Sequence, residues 1–395
     1  MNLARHNEWV WTSRWTHAWL KAAAPGTERE SCMESSWAGP LDDAELARTV
    51  RAFQRAGINT VLTEGLRNLV RLDREGRTEA VIEALRKAAQ ACRRAGLRLV
   101  HHTTATFASP WLKDIPAADR ARLAIDAQTG RYAFVQWKAD WAGAGWYLWC
   151  LNNPEFRAAY FRLCERYVRE AGLDGLMTDE VYFRTGWQAC VCPHCRDKFR
   201  LNAGITLPAG RAPGFWGRFD NPDFRAWIRF RAASVGDFYR DLRAAIGRAH
   251  PHPVLLGCKN QAECPASVPL FGDSNEERMR GVNLLFTELS SPTTSALYSW
   301  PRLSVCYMAY NGLSRHYGTP TLAIQYAAPQ EAFLSWALRA AHGARVWATS
   351  GGGALARHDQ LPARPKGLAS VKHVFGWESR HDREPAGAIQ PLADI

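Results

Sequence analysis

The chain has 395 residues, of which 47% are hydrophobic and 22% charged, and its formal net charge at pH 7 is +12. No apolar run approaches the roughly 20 residues that a membrane-spanning helix needs, and the N-terminus lacks the apolar segment of a secretory signal. The arginines are scattered along helical segments and form no block, which argues against nucleic acid as a partner. We therefore expect a cytoplasmic protein that binds neither a membrane nor nucleic acid.

Short apolar segments, predicted to be strands, alternate with amphipathic segments, predicted to be helices. In chain order, the first predicted strand and its loop are residues 8–20, and the other predicted strands are residues 58–65, 97–104, 173–180, 253–261, 281–291, 319–327 and 343–353. The clearest predicted helices are residues 41–57, 78–95, 154–170, 223–249 and 329–342. Such an alternation of βα units, with strands apolar enough to be buried on both faces, predicts an α/β fold: a (β/α)8 TIM barrel with long βα loops. A doubly wound open sheet is the alternative, but no glycine-rich phosphate-binding turn follows the first strand.

Residues 105–150 form a long connection that is rich in tryptophan and has little helical or strand pattern. A connection of this length in a compact domain is usually functional. The 17 tryptophans of the chain suit either core packing or the stacking of sugar rings, and Trp187 is a candidate for the second role. Because residues 361–395 stop in the middle of a pattern, we expect a barrel over residues 1–360, followed by an extension that begins a further domain.

Three cysteines lie within six residues, at the spacing of a metal site: Cys190, Cys192 and Cys195. The ten cysteines of the chain are otherwise too sparse for a disulfide framework. Zinc takes four ligands in a tetrahedron, and Cys150, at the end of the long connection, is the preferred fourth ligand. A zinc ion held by four thiolates would be structural, because it keeps no open position for a substrate. The alternatives for the fourth position are His194 and Cys164.

Carboxylates lie at the C-terminal ends of three predicted strands, where an α/β barrel presents its catalytic groups. They are Glu64, the adjacent pair Asp179 and Glu180, and Glu288. Hydrolysis of a glycosidic bond uses two carboxyl groups, and we prefer Glu180 as the general acid with Glu288 as the second carboxylate. Side chains alternate along a strand, so Asp179 and Glu180 would point apart if the strand continued through both. The candidates for substrate binding are Asp179, Tyr182, Glu64, His101, His102, Asn260, Trp187 and Tyr326.

Three motifs resemble the barrel domain of the glycoside hydrolase family 42 β-galactosidases and of related uncharacterised barrels. Cys150 is followed by Leu-Asn-Asn-Pro-Glu-Phe-Arg, Glu180 closes an acidic pair, and residues 190–195 read Cys-Val-Cys-Pro-His-Cys. The resemblance implies a structural zinc held by Cys150 and the three clustered cysteines, and a general acid/base at Glu180. Its specific part covers residues 145–200. The family's barrel is followed by a trimerisation domain, which implies a homo-oligomer, a trimer, if such a domain follows here.

Two departures from the family pattern bear on the mechanism. The family has Asn before its acid/base residue, where this chain has Asp179, and it has a nucleophilic Glu at the end of strand seven, where residues 323–326 read Ala-Ile-Gln-Tyr. The leading hypothesis is therefore a zinc-containing glycoside hydrolase acting on a small sugar or oligosaccharide, without β-galactosidase specificity carried over. A carbohydrate-binding barrel without activity is the alternative, and a nucleic-acid-binding protein is a distant third.

Overall fold

The computed structural model of the chain describes residues 9–18, 43–63, 68–136, 145–183, 186–260, 267–288, 300–325, 332–349 and 365–381. Its strands, in chain order, are β1 (Trp15–Ala18), β2 (Thr60–Thr63), β3 (Arg98–Thr104), β4 (Phe107–Ser109), β5 (Phe134–Val135), β6 (Trp146–Leu148), β7 (Gly175–Asp179), β8 (Val254–Asn260), β9 (Leu284–Glu288), β10 (Thr321–Gln325) and β11 (Arg345–Thr349). Its helices are α1 (Asp43–Arg55), α2 (Leu69–Arg74), α3 (Thr78–Arg94), α4 (Ala117–Arg120), α5 (Pro154–Ala171), α6 (Pro193–Ala203), α7 (Pro222–Ala249), α8 (Ser267–Phe271), α9 (Asn275–Gly281), α10 (Trp300–Tyr317), α11 (Ala332–Ala341) and α12 (Pro365–His381).

Eight parallel strands form a closed barrel in the order β1-β11-β10-β9-β8-β7-β3-β2. The first strand closes the ring, because Trp15 is in register with Thr60 of β2 on one side and with Trp347 of β11 on the other. The predicted (β/α)8 barrel is therefore confirmed, and the doubly wound open sheet is excluded.

The interior of the barrel is apolar over most of its length. Trp15, Leu62, Val100, Met177 and Leu256 are each at most 1% exposed and pack together inside the ring of strands. The neighbouring residues Val61, Leu99, Leu176 and Leu255 point outward and belong to the main core under the helices, so β2, β3, β7 and β8 are buried on both faces. This double burial is why these strands show no regular apolar/polar alternation in the sequence.

Helix α5 leads the chain into β7, the fourth strand of the barrel in chain order. It begins at Asn153, whose side chain accepts the backbone N–H of Phe156, with Pro154 in the first turn. It ends at Gly172, whose φ of 66° is a conformation that glycine adopts at little cost. These two caps fix the length of α5 and so place the acidic end of β7.

The connection 105–150 is more regular than the sequence predicts. It contains a three-stranded sheet in the order β4-β6-β5, with antiparallel pairing, and the short helix α4. Phe134 of β5 packs edge-on against Tyr147 of β6, with ring centroids 4.9 Å apart. Strands of two or three residues are too short to show a hydrophobic period, so the prediction of little regular structure is wrong here. Helices α2, α8, α9, α10 and α12 are also absent from the prediction.

The last described helix, α12, packs on the outside of the barrel against α1 and α11. Phe375 is fully buried in the main core, and the indole N–H of Trp336 donates to Glu378 Oε1 at 2.6 Å. The further domain expected from residues 361–395 stays a prediction. Among the described residues, no helix is both long and apolar enough to span a bilayer.

Candidate functional site

The acidic pair lies where β7 ends at the C-terminal mouth of the barrel. Asp179 is the last residue of the strand and is 6% exposed, and Glu180 is 3% exposed. Glu180 has a φ of 55°, in the left-handed region that costs a non-glycine residue on the order of 1–3 kcal/mol. The strand therefore does not continue through both residues, and the alternation that would separate their side chains does not apply.

Two polar side chains hold the backbone in this strained turn. Thr106 Oγ1 donates to the carbonyl oxygen of Glu180 at 2.5 Å, and Arg278 Nη2 donates to that of Val181 at 3.0 Å. Arg278 is fully buried and also donates to Tyr239 Oη at 2.7 Å. Neither Thr106 nor Arg278 is among the predicted site residues, because each sits in a segment whose sequence gives no sign of burial.

The carboxylate of Asp179 is held by a histidine, a thiol and the backbone. His102 Nε2 lies 3.2 Å from Oδ2, and the N–H of Glu180 donates to Oδ1 at 2.7 Å. Burial alone would raise the pKa of Asp179, but hydrogen bonds from His102, Cys258 and the Glu180 N–H outweigh burial and leave that pKa below its usual value. Asp179 is therefore ionised at neutral pH.

The two predicted histidines occupy opposite faces of β3. His102 follows Val100 at the strand period of two and meets Asp179. His101 lies on the helix side, where its Nδ1 shares a hydrogen bond of 2.7 Å with Thr63 Oγ1 and its ring stacks on Tyr167 at 5.7 Å. Burial, followed by the neighbouring His102, lowers the pKa of His101 to about 3.

This lowered pKa predicts an acid-sensitive stability. Between pH about 3 and 6.5, the unfolded chain binds a proton at residue 101 that the folded chain does not bind. The free energy of unfolding should therefore decrease as the pH is lowered through that window, by on the order of 1.4 kcal/mol per pH unit from this group alone. Urea unfolding of the His101→Asn variant between pH 6.5 and pH 4 should show a free energy of unfolding that depends less steeply on pH than that of the parent. The exposed-residue control His252→Asn should keep the parent slope, and a constant difference between His101→Asn and the parent would contradict the prediction.

Four cysteines come together beside the long connection. The Sγ atoms of Cys150, Cys190, Cys192 and Cys195 all lie within 4.8 Å of one another, and each residue is at most 1% exposed. Cys150 Sγ is 3.4 Å from Cys192 Sγ and 3.5 Å from Cys195 Sγ. Four sulfurs at ~2.3 Å from a tetrahedral zinc ion would be about 3.8 Å apart, so the cluster has the dimensions of a metal site. Within the described residues, this cysteine cluster includes Cys150 and neither of the alternative fourth ligands.

The protonation of the cluster also fits a cation. Hydrogen bonds with Cys190 and Cys192 raise the pKa of Cys150, and burial followed by the neighbouring sulfurs raises that of Cys195. Hydrogen bonds with Cys150 and Cys190 lower the pKa of Cys192. Packed together, these thiols therefore resist further ionisation, and a divalent cation would supply the charge that lets them deprotonate.

Hydrogen bonds tie the cysteine cluster to the rest of the barrel mouth. The N–H of Ile125 donates to Cys190 Sγ at 3.3 Å, and the N–H of Val191 donates to the carbonyl of Ile125 at 2.9 Å. Asn152 Nδ2 donates to Cys195 Sγ at 3.3 Å. Donors of this kind orient and stabilise thiolate ligands. The cluster thus joins the long connection, the start of α5 and the loop after β7.

Of the other predicted residues, Tyr182 and Trp187 lie within the described residues, Asn260 and Glu288 are described in their backbone alone, and two lie outside. Tyr182 is 4% exposed, and its ring is 6.0 Å from that of Phe271. Trp187 packs edge-on against Phe219 and Phe224, with centroids 6.3 Å away. The Cα positions of Asn260 and Glu288 are register partners at the ends of β8 and β9. Outside the described residues are Glu64 and Tyr326.

Comparisons with known proteins identify the fold. No family model and no curated protein matches the chain. Among similar solved structures, a β-galactosidase from the Antarctic haloarchaeon Halorubrum lacusprofundi has 16% identity and a TM-score of 0.62, covering 93% of this chain and 58% of its own. A catalytic mutant of Gan42B, a family 42 β-galactosidase from G. stearothermophilus, has 16% identity and a TM-score of 0.60, covering 85% and 54%. The glycoside hydrolase domain of PgaB from Bordetella bronchiseptica has 12% identity and a TM-score of 0.63, covering 92% and 98%.

At these identities, the likeness shows the barrel fold alone, and at that level it confirms the predicted resemblance to the family 42 barrel. The chain spans 58% of the length of the haloarchaeal β-galactosidase that it matches. The activities in these names belong to those proteins.

Proposed function

We propose that the protein is a glycoside hydrolase that cleaves the glycosidic bond of a small sugar or oligosaccharide, with Glu180 as the general acid. The observation that carries this proposal is the pair of buried carboxylates, Asp179 and Glu180, at the C-terminal mouth of a barrel that resembles glycoside hydrolases. In such barrels the reacting groups come from the C-terminal ends of strands.

Glycoside hydrolysis also needs a second group, and three carboxylates are candidates. From the sequence, Glu288 at the end of β9 is preferred, with Glu64 and Asp179 as the alternatives. Sugar contacts would come from the residues around the mouth. Among the two histidines, His102 is better supported than His101, which packs against Tyr167. The other proposed sugar contacts are Asp179, Tyr182, Glu64, Asn260, Trp187 and Tyr326.

The cysteine cluster is proposed to hold zinc in a structural role. All four donors would be thiolates, which leaves no open coordination position for a substrate or a reacting water. Reduced thiols at such a density suit a reducing compartment such as the cytoplasm.

A carbohydrate-binding barrel without activity is the second candidate. It is favoured by one observation: the seventh barrel strand, β10, ends at Gln325, where the resembling family has its nucleophile. This candidate predicts sugar binding without turnover on any glycoside.

The direct test is turnover of a panel of aryl glycosides by the parent and by Glu180→Gln. Loss of the general acid should lower kcat by about 1,000-fold on 4-nitrophenyl glycosides. The loss should be smaller on 2,4-dinitrophenyl glycosides, because that leaving group departs without a proton. The matched control is Glu83→Gln, at an exposed glutamate of α3, and Glu288→Gln tests the preferred second carboxylate. Near-normal activity of a folded Glu180→Gln protein would remove Glu180 from the mechanism.

A further inference from the structure

Among the three candidates for the second carboxylate, Asp179 is the one whose side-chain contacts lie within the described residues. It is more than nine-tenths buried, and its two oxygens are fixed by different donors, His102 Nε2 at 3.2 Å and the Glu180 N–H at 2.7 Å. An ionised carboxylate is an acceptor only, with about four lone-pair sites on its two oxygens. With the hydrogen bond from Cys258, the donors among the described residues number three, which leaves about one lone-pair site for an N–H or O–H from a ligand, and Asp179 can donate nothing to that ligand.

The position of Asp179 makes it a poor nucleophile for a bond that Glu180 protonates. Consecutive Cα atoms are about 3.8 Å apart, so both side chains approach a bound sugar from the same strand end. In a double displacement, the nucleophile attacks the anomeric carbon from the face opposite the leaving group. Asp179 is therefore suited to orienting a group on the sugar next to the anomeric carbon, and the attack must come from elsewhere.

A sugar with a 2-acetamido group brings its own nucleophile. Its amide N–H is a donor that an acceptor-only carboxylate would hold, and holding it turns the carbonyl oxygen toward the anomeric carbon. This arrangement requires no carboxylate at the end of β10, where the chain has Gln325. It also accounts for an ionised Asp directly before the acid, because the positive charge that develops on the amide nitrogen would be stabilised by a negative neighbour.

We propose that the substrate is a 2-acetamido-2-deoxy glycoside and that Asp179 accepts the acetamido N–H while Glu180 protonates the leaving oxygen. This inference rests on the proposed hydrolase function and names its substrate class.

The step is balanced in atoms and electrons. The acetamido carbonyl oxygen forms a bond to the anomeric carbon as the bond from that carbon to the leaving oxygen breaks. Glu180 gives its proton to the leaving oxygen, which departs as an alcohol. The resulting oxazolinium ion faces the Asp179 carboxylate. Water then adds to the anomeric carbon and gives a proton to Glu180, and the bond to the carbonyl oxygen breaks to restore the amide.

The inference is tested with paired 4-nitrophenyl glycosides of monosaccharides and disaccharides, in both anomers, that carry either a 2-hydroxyl or a 2-acetamido group. We expect kcat/KM to be at least about 100-fold higher for the 2-acetamido member of the preferred pair. Replacing the acetyl group by mono-, di- and trifluoroacetyl groups should lower kcat progressively, because fluorine makes the carbonyl oxygen a weaker nucleophile. Asp179→Asn should lower kcat by about 100-fold or more with a smaller change in KM, and Glu83→Gln should match the parent.

Two results would overturn the inference: the first would reject the substrate class alone, and the second would also reject the proposed hydrolase function. Equal or faster hydrolysis of 2-hydroxy glycosides, with no response to fluorine and with Glu288→Gln inactive, would reject the 2-acetamido substrate and keep the hydrolase. No turnover of either series, in a folded and metal-loaded protein, would reject the hydrolase itself and favour the carbohydrate-binding barrel.

Discussion

Cys195→Ser is expected to release the proposed metal ion and to lower the thermal unfolding midpoint by on the order of 10 °C, because a metal held by thiolates contributes several kcal/mol directly to folding. Cys195 is fully buried between Cys150 Sγ and the amide of Asn152. A serine there is a far poorer ligand for zinc than a thiolate. The three remaining sulfurs would then be left buried and short of a cation.

The measurements are the metal content of the purified protein by mass spectrometry and unfolding with and without a strong chelator. We expect one zinc ion per chain in the parent and a similar loss of stability from chelation and from Cys195→Ser. The matched control is Cys306→Ser, at a half-buried cysteine on α10, which should keep the metal. A parent without metal, whose midpoint is the same as that of Cys195→Ser, would refute the metal site.

Replacement of Arg278 by methionine is expected to lower the free energy of unfolding by about 3–5 kcal/mol, because it leaves a buried charge without its partner. Arg278 Nε donates to Asp273 Oδ1 at 2.5 Å, and both side chains are almost completely buried. The same guanidinium holds the carbonyl of Val181 and the hydroxyl of Tyr239, which in turn donates to the carbonyl of Thr178 at 3.0 Å. Losing this guanidinium should also loosen the turn at the end of β7 and lower the proposed glycosidase activity.

Arg280 offers the matched control on the same helix. It is half-exposed and pairs with Glu276 and Glu277 in solvent, so Arg280→Met should leave the unfolding midpoint nearly unchanged. The double variant of Arg278→Met with Asp273→Leu should recover part of the stability, because both buried charges are then gone. Equal stabilities of Arg278→Met and Arg280→Met in urea unfolding would contradict the prediction.

The barrel could be predicted because its strands are buried on both faces. A run such as Val254 to Cys258 has no polar alternation, and the long helix α7 precedes it, so strand and helix alternate visibly in the chain. The cysteine cluster could be predicted from the spacing of three cysteines and from the position of Cys150 at the end of the long connection, which the family resemblance supports. Both signals are local in sequence.

The features that could not be predicted from the sequence depend on contacts between distant segments of the chain. Nothing near residue 278 distinguishes it from the surface arginines around it, yet it is buried because Asp273, Tyr239 and Val181 surround it. The left-handed turn at Glu180 is likewise set by partners outside the strand. The opposite orientations of His101 and His102, by contrast, can be predicted from the sequence, because the strand period from Val100 indicates that His102 faces the barrel interior.

The closure of the barrel by β1 has a consequence for how the chain is made. The first strand has four residues, and its partners on one side, in β11, lie more than 300 positions away in the chain. Until β11 has left the ribosome, the growing sheet keeps two unpaired edges, one on β1 and one on the newest strand. Open edges are templates for pairing with other chains, and distant pairings form slowly. The pairing of β1 with β11 closes the barrel last, and a nascent chain is most exposed to aggregation until this pairing has formed. Chaperones that shield sheet edges would therefore act mainly before it.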